Sequence, residues 1–272
     1  MVIHKRAPYA GVRKNKLETS KIEEKIEYIQ LDSLIENFRN SSIKFPTKLT
    51  PELSEEIGIH IGDGHLSSNR YRYKLFGNID ESEYYENFLS TLYLELYNIK
   101  VSLVKRNDNT IGFEFCSKPI WSFKTKILGL ITGRKDYVTV PELILNSGPA
   151  IWRAFIRGLF DTDGNVYFQT RYGYKNYYPL ISLASKSKEL SKVTCELLVK
   201  LGFKANYYTT CNEEGVIQLY GYENLLKYAE EIGWHNTKQL NRFLDWKRRF
   251  PNLVEKRATA GIRTRPKSFL PT

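Results

Sequence analysis

Two aspartates stand a hundred residues apart in matching settings, Asp63 in GIHIGDG (58–64) and Asp163 in GLFDTDG (158–164). Each closes an apolar stretch of helical character, ELSEEIGIHIGDG (52–64) and AIWRAFIRGLFDTDG (150–164). Gly64 and Gly164 follow, as expected of a left-handed helix stop. Gly58 and Gly62 lie four apart on one helix face, and Gly158 and Thr162 four apart on the other. Small residues at that spacing let two helix backbones approach, so the pair is expected to pack face to face. The two carboxylates then meet at the helix C-termini. At roughly 4 Å and an effective dielectric of about 20 they repel by about 4 kcal/mol, and the helix ends add partial negative charge. A hard cation relieves this, and Mg²⁺ held by one or two carboxylates plus a substrate phosphate is a common solution. The chemistry implied is metal-assisted phosphodiester hydrolysis. One Asp-Gly alone more often marks a plain turn or helix stop; the second copy, in matching surroundings, reverses that reading.

The elements that must position these acids also occur twice. After each Asp-Gly comes strand-like sequence, then a capped amphipathic helix, NIDESEYYENFLSTLYLELYN (78–98) and ASKSKELSKVTCELLVKLG (184–202). A hairpin follows, VSLVKRNDNTIGFEF (101–115) and ANYYTTCNEEGVIQLY (205–220), and then a closing helix, SKPIWSFKTKILGL (117–130) and NLLKYAEEIGW (224–234). The predicted architecture is α+β, two pseudo-symmetric αββαββα repeats. The expected divisions are a basic N-terminal extension with a helix over 19–40 (residues 1–48), repeat one (49–146), repeat two (147–246) and a basic tail (247–272).

The 272 residues, 42% apolar and 26% charged, suffice for a substantial core and exclude wholesale disorder. No apolar run reaches the length of a membrane span, and the start lacks the apolar stretch of a secretory signal. Three scattered cysteines, Cys116, Cys195 and Cys211, exclude a disulfide framework and a CxxC zinc site. They fit a reducing compartment, with an intracellular location expected, cytoplasmic in a prokaryote or inside an organelle. The net charge of +11 suggests an anionic partner. It sits in the two ends: residues 17–246 hold 28 basic against 29 acidic side chains. Nucleic-acid binding by the middle therefore requires charge segregated onto one face.

IRGLFDTDG (156–164) and EIGIHIGDG (56–64) resemble the paired motifs of the LAGLIDADG homing endonucleases, in the single-chain form that carries both. The resemblance spans residues 49 to about 246 and takes in LGFKANYY and VPELI (140–144). It implies a saddle with motif helices at the pseudo-twofold interface and two antiparallel sheets lying along DNA in the major groove. It also implies cleavage of both strands of a long, asymmetric site across the minor groove, with short 3′ overhangs, by a monomer using Mg²⁺ (Mn²⁺ substituting). Asp63 and Asp163 become the metal-ligating catalytic carboxylates, and the carbonyls of Gly62 and Thr162 auxiliary ligands. The other motif acid, Asp161, is Ile61 in repeat one; it is no metal ligand in the family and is expected to cap or pack.

The family also places a basic residue near the scissile phosphate, in the loop after each repeat's last helix. Lys135 stands 72 residues after Asp63 and Lys238 75 after Asp163, a near-equal spacing internal to this chain. Either could stabilise charge developing on the phosphate, with Arg134 the alternative to Lys135. NRYRYKLFGN (69–78) alternates basic and apolar, as in a sheet with helices behind and nucleic acid in front. The expected DNA contacts are Arg70, Arg72, Lys74, Asn78, Lys105 and Arg106 in repeat one. In repeat two they are Gln169, Arg171, Lys175, Tyr207 and Thr209. His60 and His65 lack partners at ligand spacing and are expected to pack or touch DNA. Two other readings accompany this one: an RNA maturase acting on intron RNA, or a DNA-binding protein of the same fold without cleavage. Self-splicing is not expected, since Met1 and Pro271-Thr272 supply neither the terminal nucleophile nor the terminal Asn.

Overall fold

A computed structural model describes residues 29–31, 42–171 and 173–251, apart from the side chains of residues 174 and 175. Thr50, in extended backbone, accepts the Leu53 amide and opens helix α1 (Pro51–Asp63), with proline in the first turn. Gly148, also in extended backbone, and Pro149 open α5 (Pro149–Thr162), again with proline in the first turn but with no side-chain cap. The two helices lie against each other, backbone on backbone. A Cβ on Gly58 would overlap the Phe155 carbonyl oxygen and stand 2.8 Å from the Leu159 amide. One on Gly158 would overlap the Glu55 carbonyl and stand 3.0 Å from the Ile59 amide. Gly62 faces Thr162, whose hydroxyl bonds back to the Gly158 and Leu159 carbonyls at 3.1 and 3.0 Å. The small-residue stripe thus sets the helix contact, as its spacing predicts.

Each motif helix runs straight into a strand. In repeat one these are β1 (Gly64–Leu66), β2 (Arg72–Asn78), β3 (Val104–Lys105) and β4 (Thr110–Cys116), in sheet order β1-β2-β4-β3. Repeat two gives β5 (Gly164–Arg171), β6 (Tyr174–Ser185), β7 (Ala205–Thr209) and β8 (Gly215–Tyr220), in order β5-β6-β8-β7. Every neighbouring pair is antiparallel. Between the strands lie α2 (Ser90–Tyr97), entered through a wide turn at Tyr84–Leu89, and α6 (Lys188–Lys200). Closing helices are α3 (Lys118–Ser122), prolonged by a wide turn to Ile127, and α7 (Gly221–Glu231). A short α4 (Glu142–Leu145) precedes α5, and α8 (Thr237–Arg249) follows α7. The α+β, two-sheet architecture is therefore present, and one continuous apolar core joins both repeats. No helix among the described residues is long and apolar enough to cross a membrane.

Two local expectations fail. Gly64 and Gly164 are not left-handed stops: Gly64 is extended (φ −77°, ψ 157°), and both begin strands. Glycine is required there for space. A Cβ on Gly64 would stand 2.7 Å from the His60 carbonyl oxygen, and one on Gly164 2.8 Å from Phe160 Cα. The helix expected over 19–40 lies mostly outside the described residues, but its Ile29–Leu31 portion is extended. Leu31 donates to the Thr47 carbonyl, Leu49 to the Ile29 carbonyl, and Leu31 is buried. Burying that leucine against the start of repeat one outweighs helical periodicity.

Repeat one contains a buried ion pair. Lys124 and Glu56 bond with no solvent exposure, and Tyr93 and Tyr97 donate to the Glu56 carboxylate at 2.5 and 3.0 Å. Removing one partner leaves an uncompensated buried charge, so Lys124→Met is expected to cost about 3–5 kcal/mol. Denaturant unfolding measures this, and a loss below about 1 kcal/mol would contradict it. At the helix contact no rotamer relieves an added methyl, so Gly158→Ala should lose about 1–3 kcal/mol. Ordinary Gly→Ala in a helix gains stability, so a rise in thermal midpoint would show the backbones do not touch.

Candidate metal and nucleic-acid site

Asp63 and Asp163 end adjacent helices on the same side of the contact. The Asp163 carboxyl carbon lies 3.4 Å from where a Cβ on Gly62 would stand. Tyr85 donates its hydroxyl to Asp63 Oδ2 at 2.8 Å. Burial, and then the nearby Asp163, push the Asp63 carboxyl up from 3.8 to about 7, with Glu81 adding to the rise. Asp163 faces solvent, yet the protein packed behind it raises its carboxyl to about 6. Two acids held where ionisation is unfavourable fit a hard divalent cation. Oxygen donors are the ligand type such a cation takes.

The repeat-one lysine reaches this place. Lys135 donates to the carbonyls of Ile61 (3.0 Å), His60 (3.4 Å) and Gly62, capping the α1 C-terminus. Burial lowers its ammonium pKa, against the opposing pull of Asp163 and Asp63. The Gly62 carbonyl, expected as an auxiliary ligand, is thus engaged by an ammonium. Arg134 instead pairs with Asp136 at the surface. Lys238 departs from the expected symmetry, its ammonium lying 3.7 Å from Glu81 in repeat one. The corresponding helix-end carbonyl in repeat two, that of Asp161, is capped by Asn236 Nδ2 at 2.7 Å. A side-chain amide there frees Lys238 to cross the contact. Glu81 and Tyr85 were hidden in the sequence because one reads as a capping acid and the other as a core aromatic.

Asp161 holds a structural post, as expected. It is buried and accepts the His235 amide at 2.8 Å, fixing the loop that leads to Lys238. Burial, then Glu55, push its carboxyl well above the usual range. Glu55, Asp161 and His235 bring one ligand-type atom each within 4.8 Å of one another. Glu55 is already engaged, by Arg157 at 2.5 Å and by His235 Nδ1 at 2.5 Å. The cluster reads as an ion-pair network clamping α1, α5 and the loop before α8. His60 is buried and stacks on Tyr73, the packing role expected of it.

Strand register sorts the expected nucleic-acid contacts by face. In repeat one, Arg72 pairs with Cys116, Lys74 with Glu114 and with His65 of β1, so these share the face away from the helices. Arg106 lies over Phe76, which is on that face, and pairs with Glu114 at 3.5 Å. Asn78 spends its side-chain oxygen on the Asp80 amide, and Arg70 is exposed in the turn before β2. Lys105 is a correction. It stands opposite buried Ile111 and pairs with Glu86 on the helix side, so it points away from the open face.

In repeat two, Gln169 is on the open face and receives Arg171, which lies 3.5 Å over the Tyr178 ring. Tyr207 and Thr209 are corrections. Tyr207 stands opposite buried Ile217, and Thr209 shares its side, toward the helices. One residue over, Asn206 stands opposite Gln218, and Tyr208 opposite Val216. The open face therefore carries Asn165, Tyr167, Ser182, Asn206, Tyr208 and Gln218, types that read base edges. A one-residue slip in a period-two element exchanges its faces, and no turn signal fixed that register. The Lys175 side chain lies outside the described residues.

Residues 151–233 match the family description of a LAGLIDADG-like domain. Similar curated proteins include the glutamine–fructose-6-phosphate aminotransferase of Methanocaldococcus jannaschii, 26% identical over 73% of this chain and 15% of its own length. The replicative DNA helicase DnaB of Rhodothermus marinus is 32% identical over 41% of this chain and 12% of its own. The chain spans only those small shares of these relatives' own length. Among solved structures, I-SmaMI bound to uncleaved DNA target in the presence of calcium ions is similar in fold. It has a TM-score of 0.53 and 13% identity, covering 78% of this chain and 94% of that one.

The raised acids predict a pH dependence. Without metal, the folded chain keeps protons on Asp63 and Asp163 that the unfolded chain releases between about pH 4 and 7, so stability falls across that window and stays low above it. Asp63→Asn removes one charge and should stabilise the chelator-treated protein by about 1–3 kcal/mol near pH 8 and by almost nothing near pH 4. Urea unfolding at both pH values checks this. An equal gain at both, or none, would contradict the electrostatic account.

Proposed function

We propose that this chain, which carries a LAGLIDADG-like domain over residues 151–233 and is similar in fold to I-SmaMI, is a LAGLIDADG homing endonuclease of the single-chain, two-motif form: a site-specific, divalent-metal-dependent endonuclease of double-stranded DNA. The observation that carries this reading is the convergence of Asp63 and Asp163 at the ends of two helices whose backbones touch. Asp63 and Asp163 would hold the cation, Mg²⁺ with Mn²⁺ able to replace it, together with the Gly62 and Thr162 carbonyls. The cation's contribution is to offset charge on the scissile phosphate and its leaving oxygen.

The chain's own residues do the rest. The Arg72–Lys74 face and the Asn-, Gln- and Tyr-rich face of repeat two set the duplex across the helix ends. Lys135 exchanges its carbonyl partners for a phosphate oxygen, and Lys238 leaves Glu81 for the other strand's phosphate. Each cut adds one water across a P–O3′ bond, the proton ending on the 3′ oxygen. Cutting both strands across the minor groove leaves short 3′ overhangs, and a monomer suffices because one chain supplies both acids.

Selection of cleaved sequences from a random duplex library in Mg²⁺ should return one long asymmetric site. On that site, Asp63→Asn and Asp163→Asn should each lower double-strand cutting by about 10²-fold or more while binding in Ca²⁺ persists. Binding without any cutting by the unaltered protein would favour the non-cleaving reading, and full cutting by the double variant would refute the assignment.

A further inference from the structure

The two acids are not held alike. Asp63 accepts the hydroxyl of Tyr85, a residue with no solvent exposure. Gly77 makes the contact possible. A Cβ there would stand 2.7 Å from the Tyr85 hydroxyl, 2.8 Å from Asp63 Oδ2 and 2.9 Å from Glu81 Oε2. Glu81 is buried and anchored in turn, accepting the Asn78 amide at 3.3 Å and facing Lys238. Asp63 is therefore fixed from behind by a buried donor on the wide turn before α2.

Repeat two offers no counterpart. Helix α6 has no tyrosine. Among the described residues no side chain donates a hydrogen bond to Asp163, which is exposed. Gln218 stands where the second sheet faces open space, and the α5 end is capped through Asn236 on the Asp161 carbonyl, not through the Asp163 carboxylate. A carboxylate free to rotate must be oriented during the reaction, whereas one held by a buried phenol is oriented beforehand.

Resting on the nuclease reading above, we propose that Tyr85 is a positioning residue that makes the Asp63 half of the site the faster one. The two DNA strands are then cut in a fixed order, the strand served by Asp63 first, with a nicked duplex as the intermediate. Asp163 acts second, on DNA whose first break has already relaxed it.

Single-turnover cleavage of a duplex labelled separately on each strand tests this, with Tyr85→Phe as the main variant. The phenylalanine keeps the ring and its packing and removes only the donor. Gly77→Ala is a second variant that retains the phenol and pushes it off Asp63. The unaltered protein should nick one strand first, the one that Asp63→Asn suppresses more. Both variants should slow that strand by about 10- to 100-fold, the loss of one hydrogen bond to a charged group. Cutting of the other strand, measured on a duplex already nicked in the first, should stay within about twofold. Equal strand rates in the unaltered protein, an equal slowing of both strands, or no slowing at all would overturn the proposal. If the unaltered protein binds the duplex and cuts neither strand, it is the nuclease reading that fails, and the two failures are thereby told apart.

Discussion

The backbones of α1 and α5 touch. Gly58 and Gly158 each lie where a single methyl would strike the opposite helix's main chain. Everything of chemical interest follows from that closeness. Two helices held so tightly bring their C-termini to one place, and each ends in an acid. Neither apolar burial nor hydrogen bonding alone would choose such an arrangement, since it sets two carboxylates against two negative helix ends. The arrangement persists because one cored body surrounds it and because Lys135 supplies a compensating charge at the α1 terminus.

Approximate symmetry positions the acids, but the groups around them are asymmetric. At the end of α1 the helix-end carbonyls are met by an ammonium; at the end of α5 the Asp161 carbonyl is met by a side-chain amide from Asn236. Asp161, which has only Ile61 as its counterpart, anchors the loop that carries His235 and Asn236. Glu81, Tyr85 and Lys238 gather on the Asp63 side. A duplicated scaffold within a single chain has no physical reason to keep its halves identical, and these differences surround the paired carboxylates.

Much of this was legible in the sequence. Spacing of glycines revealed the helix contact, and the doubled Asp-Gly revealed the meeting of carboxylates, because both depend on residues four apart on a helix. Hairpins and capped helices were legible from local turn and cap chemistry. What escaped has a common cause, dependence on partners distant in the chain. Gly64 and Gly164 are glycine because the preceding turn presses on them, not because φ is positive. Ile29–Leu31 pairs with residues 47–49 despite helical periodicity. Lys105, Tyr207 and Thr209 turn toward the helices although their types suit a nucleic-acid face, because edge-strand register is fixed by neighbours rather than by composition. Tyr85 looks like any core aromatic until the acid it touches is placed beside it.

If Asp63 and Asp163 hold the cation together, manganese must gather where the two helices end. Anomalous diffraction from Mn²⁺ in crystals of the protein with its bound duplex reads this out. Scattering is expected within bonding distance of both carboxylates, and its loss beside residue 63 in an Asp63→Asn crystal. An empty helix junction beside a well-ordered duplex, or manganese only at Glu55, Asp161 and His235, would contradict it.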